Sequence, residues 1–131
     1  MTSSARYKEA IKPMKNASEA ILSLQPVTFR YKKQLDPHAT PQFGLVAEEV
    51  AKIDPDLVAR DESGKPYTVR YAAVNAMLLN EFLKEHRKVE AQGQEIAELR
   101  SALKEQAAQI QKVSDLVQMQ KTSPRLVENE R

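Results

Sequence analysis

From Val27 to Lys32 apolar and polar residues alternate, so a strand there places Val27, Phe29 and Tyr31 on one face. Just upstream, Asn16 to Leu24 (NASEAILSL) reads as a short helix. Asn16 is its expected N-cap, with Glu19 at the capping-box spacing, and Pro26 forbids it to continue. Lys33 to Pro41 contains two prolines and reads as a loop. Gln42 to Val46 suits a second short strand, followed by a short helix from Ala47 to Ile53 that ends before Pro55. Leu57 to Arg60 and Pro66 to Tyr71 flank the turn sequence Asp61-Glu62-Ser63-Gly64, which predicts a hairpin. The core expected from these elements is Val27, Phe29, Tyr31, Leu45, Val50, Ile53, Leu57, Val69 and Tyr71.

After Ala72 the period changes. Up to about Lys121 nothing interrupts a helix except Gly93, which costs about 1 kcal/mol against Ala. With Val89 at heptad position a, the a column is Phe82, Val89, Ile96, Leu103, Ile110 and Val117, all apolar. The d column, Glu85, Gln92, Leu99, Gln106, Val113 and Gln120, mixes polar and apolar residues. That is an imperfect but extended coiled-coil seam. Gln92, Gln106 and Gln120 fit either structural compromises or register-setting polar layers. Glu95 at g and Arg100 at the next e suit an interchain pair in a parallel arrangement. A helix of about 50 residues spans roughly 75 Å, too long to lie on its own small domain, so self-association is expected. Mixed Ile, Val and Leu at a, with Ile and Val recurring rather than Leu at d, lean toward three strands over two.

Composition narrows the picture further. The 131 residues suffice for one core, and 41% hydrophobic with 29% charged residues are globular values. Six of the seven prolines fall by Pro66, and every Phe and Tyr falls by Phe82. The expected division is therefore a globular part over 1–73, a coiled-coil helix over 74–121 and a patternless, disordered tail over 122–131. The fold class is α+β: a small compact domain of short strands and helices, then a long C-terminal helix forming a parallel, trimeric coiled coil. A net charge of +2 implies neither nucleic acid nor an anionic membrane as partner. With no Cys, disulfide and thiolate chemistry are excluded. His38 and His86 stand alone, so no metal and no cofactor is expected. No apolar run approaches a membrane span, and no signal-peptide pattern opens the chain.

Specific residues point further. Ser3-Ser4-Ala5-Arg6-Tyr7-Lys8-Glu9-Ala10-Ile11-Lys12-Pro13, then Leu24-Gln25-Pro26-Val27-Thr28-Phe29-Arg30-Tyr31-Lys32, recur in order with Phe43-Gly44-Leu45-Val46-Ala47-Glu48-Glu49-Val50, Asp54-Pro55-Asp56-Leu57-Val58 and Val69-Arg70-Tyr71. Together they resemble the intramolecular chaperone auto-processing domain. This is the self-cleaving C-terminal domain of phage endosialidases and tail fibres, related bacterial proteins and a membrane-bound animal transcription factor. The resemblance covers about residues 3 to 115. It implies a homotrimer that helps an upstream trimeric client assemble and then cuts itself off. It also implies Ser3 as nucleophile, Lys8 as base and Thr2–Ser3 as the scissile bond, making the chain a single-turnover serine endopeptidase with a Ser–Lys dyad. Two positions depart from the family pattern: Ser4 stands where Asp is usual, and Glu48 where Gln is usual.

Such a dyad makes physical demands. A serine hydroxyl is a weak nucleophile until a base takes its proton, and a free lysine, with pKa about 10.4, is almost wholly protonated at pH 7. Making such an amine half-neutral at pH 7 requires roughly 4.6 kcal/mol, from desolvation or neighbouring cations. Arg6 or a partner chain are the available sources. Geometry adds a second demand. A five-residue step turns about 500° in an α-helix, leaving Ser3 and Lys8 some 140° apart, and an odd step in a strand puts them on opposite faces. A dyad within one chain therefore needs a turn between them; otherwise the lysine comes from another protomer. The plain alternative is that both residues belong to a solvated N-terminal tail.

Other polar residues read as structural. Asp54 and Asp56 around Pro55 suit a turn, and Lys32, Lys33 and Arg60 a solvated face. Phe29, Tyr31 and Phe43 suit a core better than a base-stacking platform. A DNA-binding coiled-coil regulator is disfavoured because no basic region precedes the heptads. The rival to self-cleavage is a structural coiled-coil trimerisation module with an inert dyad. The resemblance implies residence in the host or bacterial cytoplasm while a phage tail fibre or surface protein assembles, and absence from the mature particle after cleavage. Only Met1 and Thr2 stand ahead of Ser3, so the chain is expected to be a piece cut near the processing site, the released fragment with an added start, or a stand-alone chain acting in trans.

Overall fold

The computed structural model describes residues 2–122. The chain divides into two units, Met1–Glu85 and His86–Arg131. The first holds two antiparallel strand pairs, β1 (Val27–Phe29) with β2 (Gln42–Gly44) and β3 (Val58–Arg60) with β4 (Pro66–Val69). Between the pairs lies the helix α1 (Ala47–Ile53), and the helix α2 (Tyr71–Thr122) begins directly after β4. The architecture is α+β with short strands and a long C-terminal helix.

The core is small and gathers on α1 and the β3–β4 hairpin. Val50 from α1, Leu57 and Val58 at the start of the hairpin, Val69 from β4 and Met77 from α2 are its buried residues. Val58 and Val69 are direct cross-strand partners, so their close approach is set by the ladder. Each such side chain, taken out of water, contributes on the order of 2 kcal/mol. Asp61 closes the hairpin: its Oδ1 accepts from the N–H groups of Ser63 at 2.9 Å and Lys65 at 2.9 Å. Gly64 follows with φ of 79°, a left-handed conformation that glycine adopts without strain.

Three hydrogen bonds tie the residues beside the strands to the start of α2. The Arg70 N–H donates to the Leu57 carbonyl at 2.8 Å, and its guanidinium to the Asp56 carbonyl at 2.8 Å. The Leu45 N–H donates to the Tyr71 hydroxyl at 3.1 Å. Gly44 makes that approach possible, because a Cβ there would stand 3.0 Å from the Tyr71 hydroxyl oxygen and 3.2 Å from Phe29 Cε1. The Phe-Gly step in the sequence thus has a packing reason.

Several expectations are corrected. The segment read as a helix over Asn16–Leu24 is a 3₁₀ helix over Lys15–Ser23, with Met14 and not Asn16 at its N-cap. No capping box forms. The segment is instead held from α2: Asn80 Nδ2 donates to Ser18 Oγ at 2.7 Å and, from the same amide, to the Lys15 carbonyl at 2.8 Å. A threefold helix stacks Ser18, Ile21 and Leu24 on one line, and these are its inward residues. Tyr31, Ile53 and Tyr71, expected in the core, are exposed. Tyr31 lies beyond the end of β1 and meets Phe29 edge-on at 5.1 Å between ring centroids. Phe43 is also not core: it pairs with Thr28 on the outer face of β1–β2 and is 81% exposed. Val58, Met77 and Ser18 take the interior places instead.

In the second unit every described residue, from His86 to Thr122, is helical and exposed. The a-column residues Val89, Ile96, Leu103, Ile110 and Val117 are all among them. The expected tail over 122–131 lies outside the described residues, apart from Thr122, which ends α2.

Candidate functional site

Ser3 and Lys8 are brought together. Ala5–Tyr7 forms a single 3₁₀ turn, in which the Tyr7 N–H donates to the Ser4 carbonyl at 3.1 Å and the Lys8 N–H to the Ala5 carbonyl at 3.0 Å. The chain then leaves extended at Lys8, with φ −124° and ψ 148°. This reversal supplies the turn that a one-chain dyad requires. Lys8 Nζ donates to Ser3 Oγ at 3.0 Å, within the reach needed for proton transfer once the direction of that bond is reversed.

The bond ahead of Ser3 has its own local order. The Ser4 N–H donates to Thr2 Oγ1 at 3.2 Å, a side-chain turn that spans the Thr2–Ser3 peptide. Arg6 places its guanidinium 4.9 Å from the Tyr7 ring centroid, a cation–π contact. Ser3, Lys8, Arg6 and Tyr7 are all exposed, so no element among the described residues takes the pair out of water. Position 4 is the N-cap of the turn, yet the Ser4 side chain makes no capping hydrogen bond. The other departure, Glu48, sits with Glu49 in the first turn of α1, where the helix dipole favours a carboxylate.

Asp54 and Asp56 are turn residues. Asp54 Oδ1 accepts from the Asp56 N–H at 3.0 Å and caps the 3₁₀ turn Pro55–Leu57. Among the described residues, no group of three or more His, Asp or Glu is placed to hold a metal ion. No helix in the described residues is long and apolar enough to cross a membrane.

One polar cluster is absent from the sequence reading. Ser18, fully buried, donates from Oγ to Glu81 Oε1 at 2.7 Å. Lys84 Nζ donates to the same Glu81 oxygen at 2.8 Å and stands 3.7 Å from Glu19. The hydrogen bond to Glu81, helped by the charges of Glu81 and Glu19, holds the Lys84 amine above its ordinary pKa. The cluster joins the segment that follows the Ser3–Lys8 turn to α2. A serine 63 residues from its acceptor carries no local signal, which is why pattern reading passes over it.

Residues 3–59 match the family model described as chaperone of endosialidase, of the S74 peptidases. That segment holds the Ser3–Lys8 turn, both strands of the first pair, α1 and the start of the hairpin. The match agrees with the family resemblance read from the motifs and supports an intramolecular chaperone role. No curated protein matched the chain.

Proposed function

We propose that the chain is a trimeric intramolecular chaperone, which assists assembly of an upstream trimeric fibre or spike and then releases itself by cutting before Ser3. The observation that carries the cleavage reading is the 3.0 Å contact between Lys8 Nζ and Ser3 Oγ, across a turn that adjoins the bond to be cut. The neutral Lys8 amine takes the hydroxyl proton as Ser3 Oγ attacks the Thr2 carbonyl carbon. The Ser3 nitrogen departs with a proton returned by Lys8, leaving an ester between Thr2 and Ser3 Oγ. Water hydrolyses that ester, giving a Thr2 carboxylate and a new N-terminus at Ser3. Removing water from the exposed pair is left to the client or to neighbouring protomers, which makes assembly the trigger. The all-apolar a column supports the trimer, since a seam so exposed in one chain is stabilised by burial between chains.

With a trimeric client fused ahead of Thr2, N-terminal mass analysis should find a product beginning at Ser3. Ser3→Ala or Lys8→Ala should abolish that product while leaving trimers intact, because neither residue belongs to the seam. An uncut parent fusion would leave the structural trimerisation module as the reading.

A further inference from the structure

The peptide bond between Thr2 and Ser3 is bracketed by two side-chain hydrogen bonds. On the nucleophile's side, Lys8 Nζ reaches Ser3 Oγ at 3.0 Å. On the acyl side, the Thr2 hydroxyl oxygen accepts from the Ser4 N–H at 3.2 Å. We propose that Thr2 is a positioning residue for the cut, its side-chain acceptor fixing the scissile bond against the turn that carries Lys8. The class of substrate is then a junction whose last residue has a short side-chain hydrogen-bond acceptor, such as Thr, Ser or Asn. The inference rests on the cleavage reading above and deepens it.

Ser4 is the link between the two sides. Its carbonyl accepts from the Tyr7 N–H at 3.1 Å, and the next carbonyl, that of Ala5, accepts from the Lys8 N–H at 3.0 Å. The Ser4 N–H goes to Thr2 instead. One residue is thus held on its C-terminal side by the turn that delivers Lys8, and on its N-terminal side by the residue whose carbonyl is attacked. Because the peptide unit is planar, the rotations that orient the scissile bond here are Thr2 ψ and Ser3 φ and ψ. A ring closed by Thr2 Oγ1 onto the Ser4 N–H restricts all of them together. Lys8 alone does not, because it holds the Ser3 side chain and leaves the Thr2 carbonyl carbon free to swing relative to Oγ. Attack needs both atoms in place at once, and a rotation fixed beforehand is entropy not lost at the transition state.

Thr2, Ser3, Ser4 and Lys8 are all exposed, so hydrogen bonds within the turn, and not packing, set their geometry. A hydroxyl suits that setting. While its oxygen accepts from Ser4, its own hydrogen rotates freely toward water. Valine has nearly the same shape and no acceptor, whereas serine and asparagine keep one.

The test uses the full chain with a trimeric client fused ahead of Thr2, and follows the rate at which the Ser3 N-terminus appears, against pH. Thr2→Val keeps the branched shape and removes the acceptor. Thr2→Ser and Thr2→Asn change the shape and keep an acceptor. The expected result is a rate about fivefold lower for Thr2→Val at every pH, with the midpoint of the pH profile unmoved. Thr2→Ser and Thr2→Asn should stay within about twofold of the parent. Thr2→Val as fast as the parent overturns the inference and leaves self-cleavage standing. So does Thr2→Ser or Thr2→Asn as slow as Thr2→Val, since shape and not the acceptor then matters. A shifted midpoint in Thr2→Val also overturns it, because the residue then acts on the basicity of Lys8. A parent that yields no Ser3 N-terminus overturns the cleavage reading and this inference together. A second measurement does not depend on cutting. In the uncut Ser3→Ala fusion, the Ser4 amide hydrogen should exchange severalfold more slowly than in the same fusion carrying Thr2→Val, and equal exchange overturns the positioning bond itself.

Discussion

Residues 2–85 and 86–122 solve the burial problem in opposite ways. In the first span the chain covers itself: Val50, Leu57, Val58, Val69 and Met77 are buried, and Ser18 is satisfied by Asn80 and Glu81. In the second, the entire a column is exposed, Ile110 to 69%. The first unit therefore has the elements of an independent fold, with backbone, core and buried polar groups accounted for. The second has good helix-forming sequence and no core. Isolated helices are marginal in water, so under the proposed assembly its stability would depend on other chains and on concentration. One sequence thus holds a part with its own core and a part whose apolar column is left exposed.

The harshest way to break this contrast is at the seam. Leu103→Asp with Ile110→Asp should dissociate the trimer at micromolar concentration, since charges placed at two a layers would be buried unpaired. Circular dichroism should lose most of the signal of the second unit while the first unit keeps its folding transition. In a client fusion, cleavage before Ser3 should stop, although the substitutions are about a hundred residues from it. Efficient cutting by a monomeric variant would show that the dyad needs no assembly.

Next in size is the core. Leu57→Ala should cost the first unit about 2–5 kcal/mol, seen as a lower urea midpoint. The seam should be untouched, so the trimer should persist at concentrations where the first unit is already partly unfolded. A coupled loss of both would mean that the two spans are not separate folding units.

Smaller effects come from pH, and they differ at the two ends of the scale. Lys84 is held above its ordinary value of 10.5 by the hydrogen bond to Glu81. Its contribution is complete below 10.5 and is lost as pH rises through the folded value. Asp36 is held below its ordinary 3.8, chiefly by the Thr40 N–H at 2.8 Å. Its contribution is complete above 3.8 and is lost as pH falls through the folded value. Melting of the first unit should therefore fall in strong alkali, and Lys84→Met should flatten that limb alone. The loop around Asp36 should loosen only in acid, detectable by faster exchange of the Thr40 amide. The a-column residues carry no charge and should not respond directly at either end.

What was legible in the sequence divides along the same line. α1 runs over Ala47–Ile53 as the pattern predicts, because Pro55 stops it and the hairpin turn beyond carries its own signals. The long helix is legible because nothing in it competes with helix. The failures are tertiary. Ser18 can be an interior residue because Asn80 and Glu81 arrive from α2 to satisfy its hydroxyl. Alternation finds the face that Tyr31 would share, but β1 ends at Phe29, so the tyrosine is left outside. Ser3 and Lys8 were found by likeness of motif. Spacing showed only that a turn was needed, and Ala-Arg-Tyr carries no Gly or Pro to announce one.

The subtlest contrast lies within the site, between the residue at position 4 and the one usual at that place in the chaperone family that the chain resembles. Ser4 occupies the N-cap of the turn that delivers Lys8, with φ −67° and ψ 135°, and leaves the cap unmade. A side-chain cap, which Ser, Asn and Asp can all supply, is worth about 1 kcal/mol against Ala when it is made, roughly fivefold in turn population. The longer Asn or Asp side chain is expected to make the bond that Ser4 leaves unmade. Asp adds a negative charge, and a carboxylate near an amine favours its charged form, the wrong form for a base. The two substitutions therefore separate capping from charge. Ser4→Asn should speed cleavage of a client fusion about fivefold across the pH range. Ser4→Asp should gain less near pH 7 and approach the Asn variant as pH rises. The check is the rate of appearance of the Ser3 N-terminus against pH for parent and both variants. If Ser4→Asn is no faster than the parent, the turn is already fully formed and capping does not limit the reaction. If Ser4→Asp outruns Ser4→Asn at neutral pH, the carboxylate itself takes part, and the turn explains only the geometry.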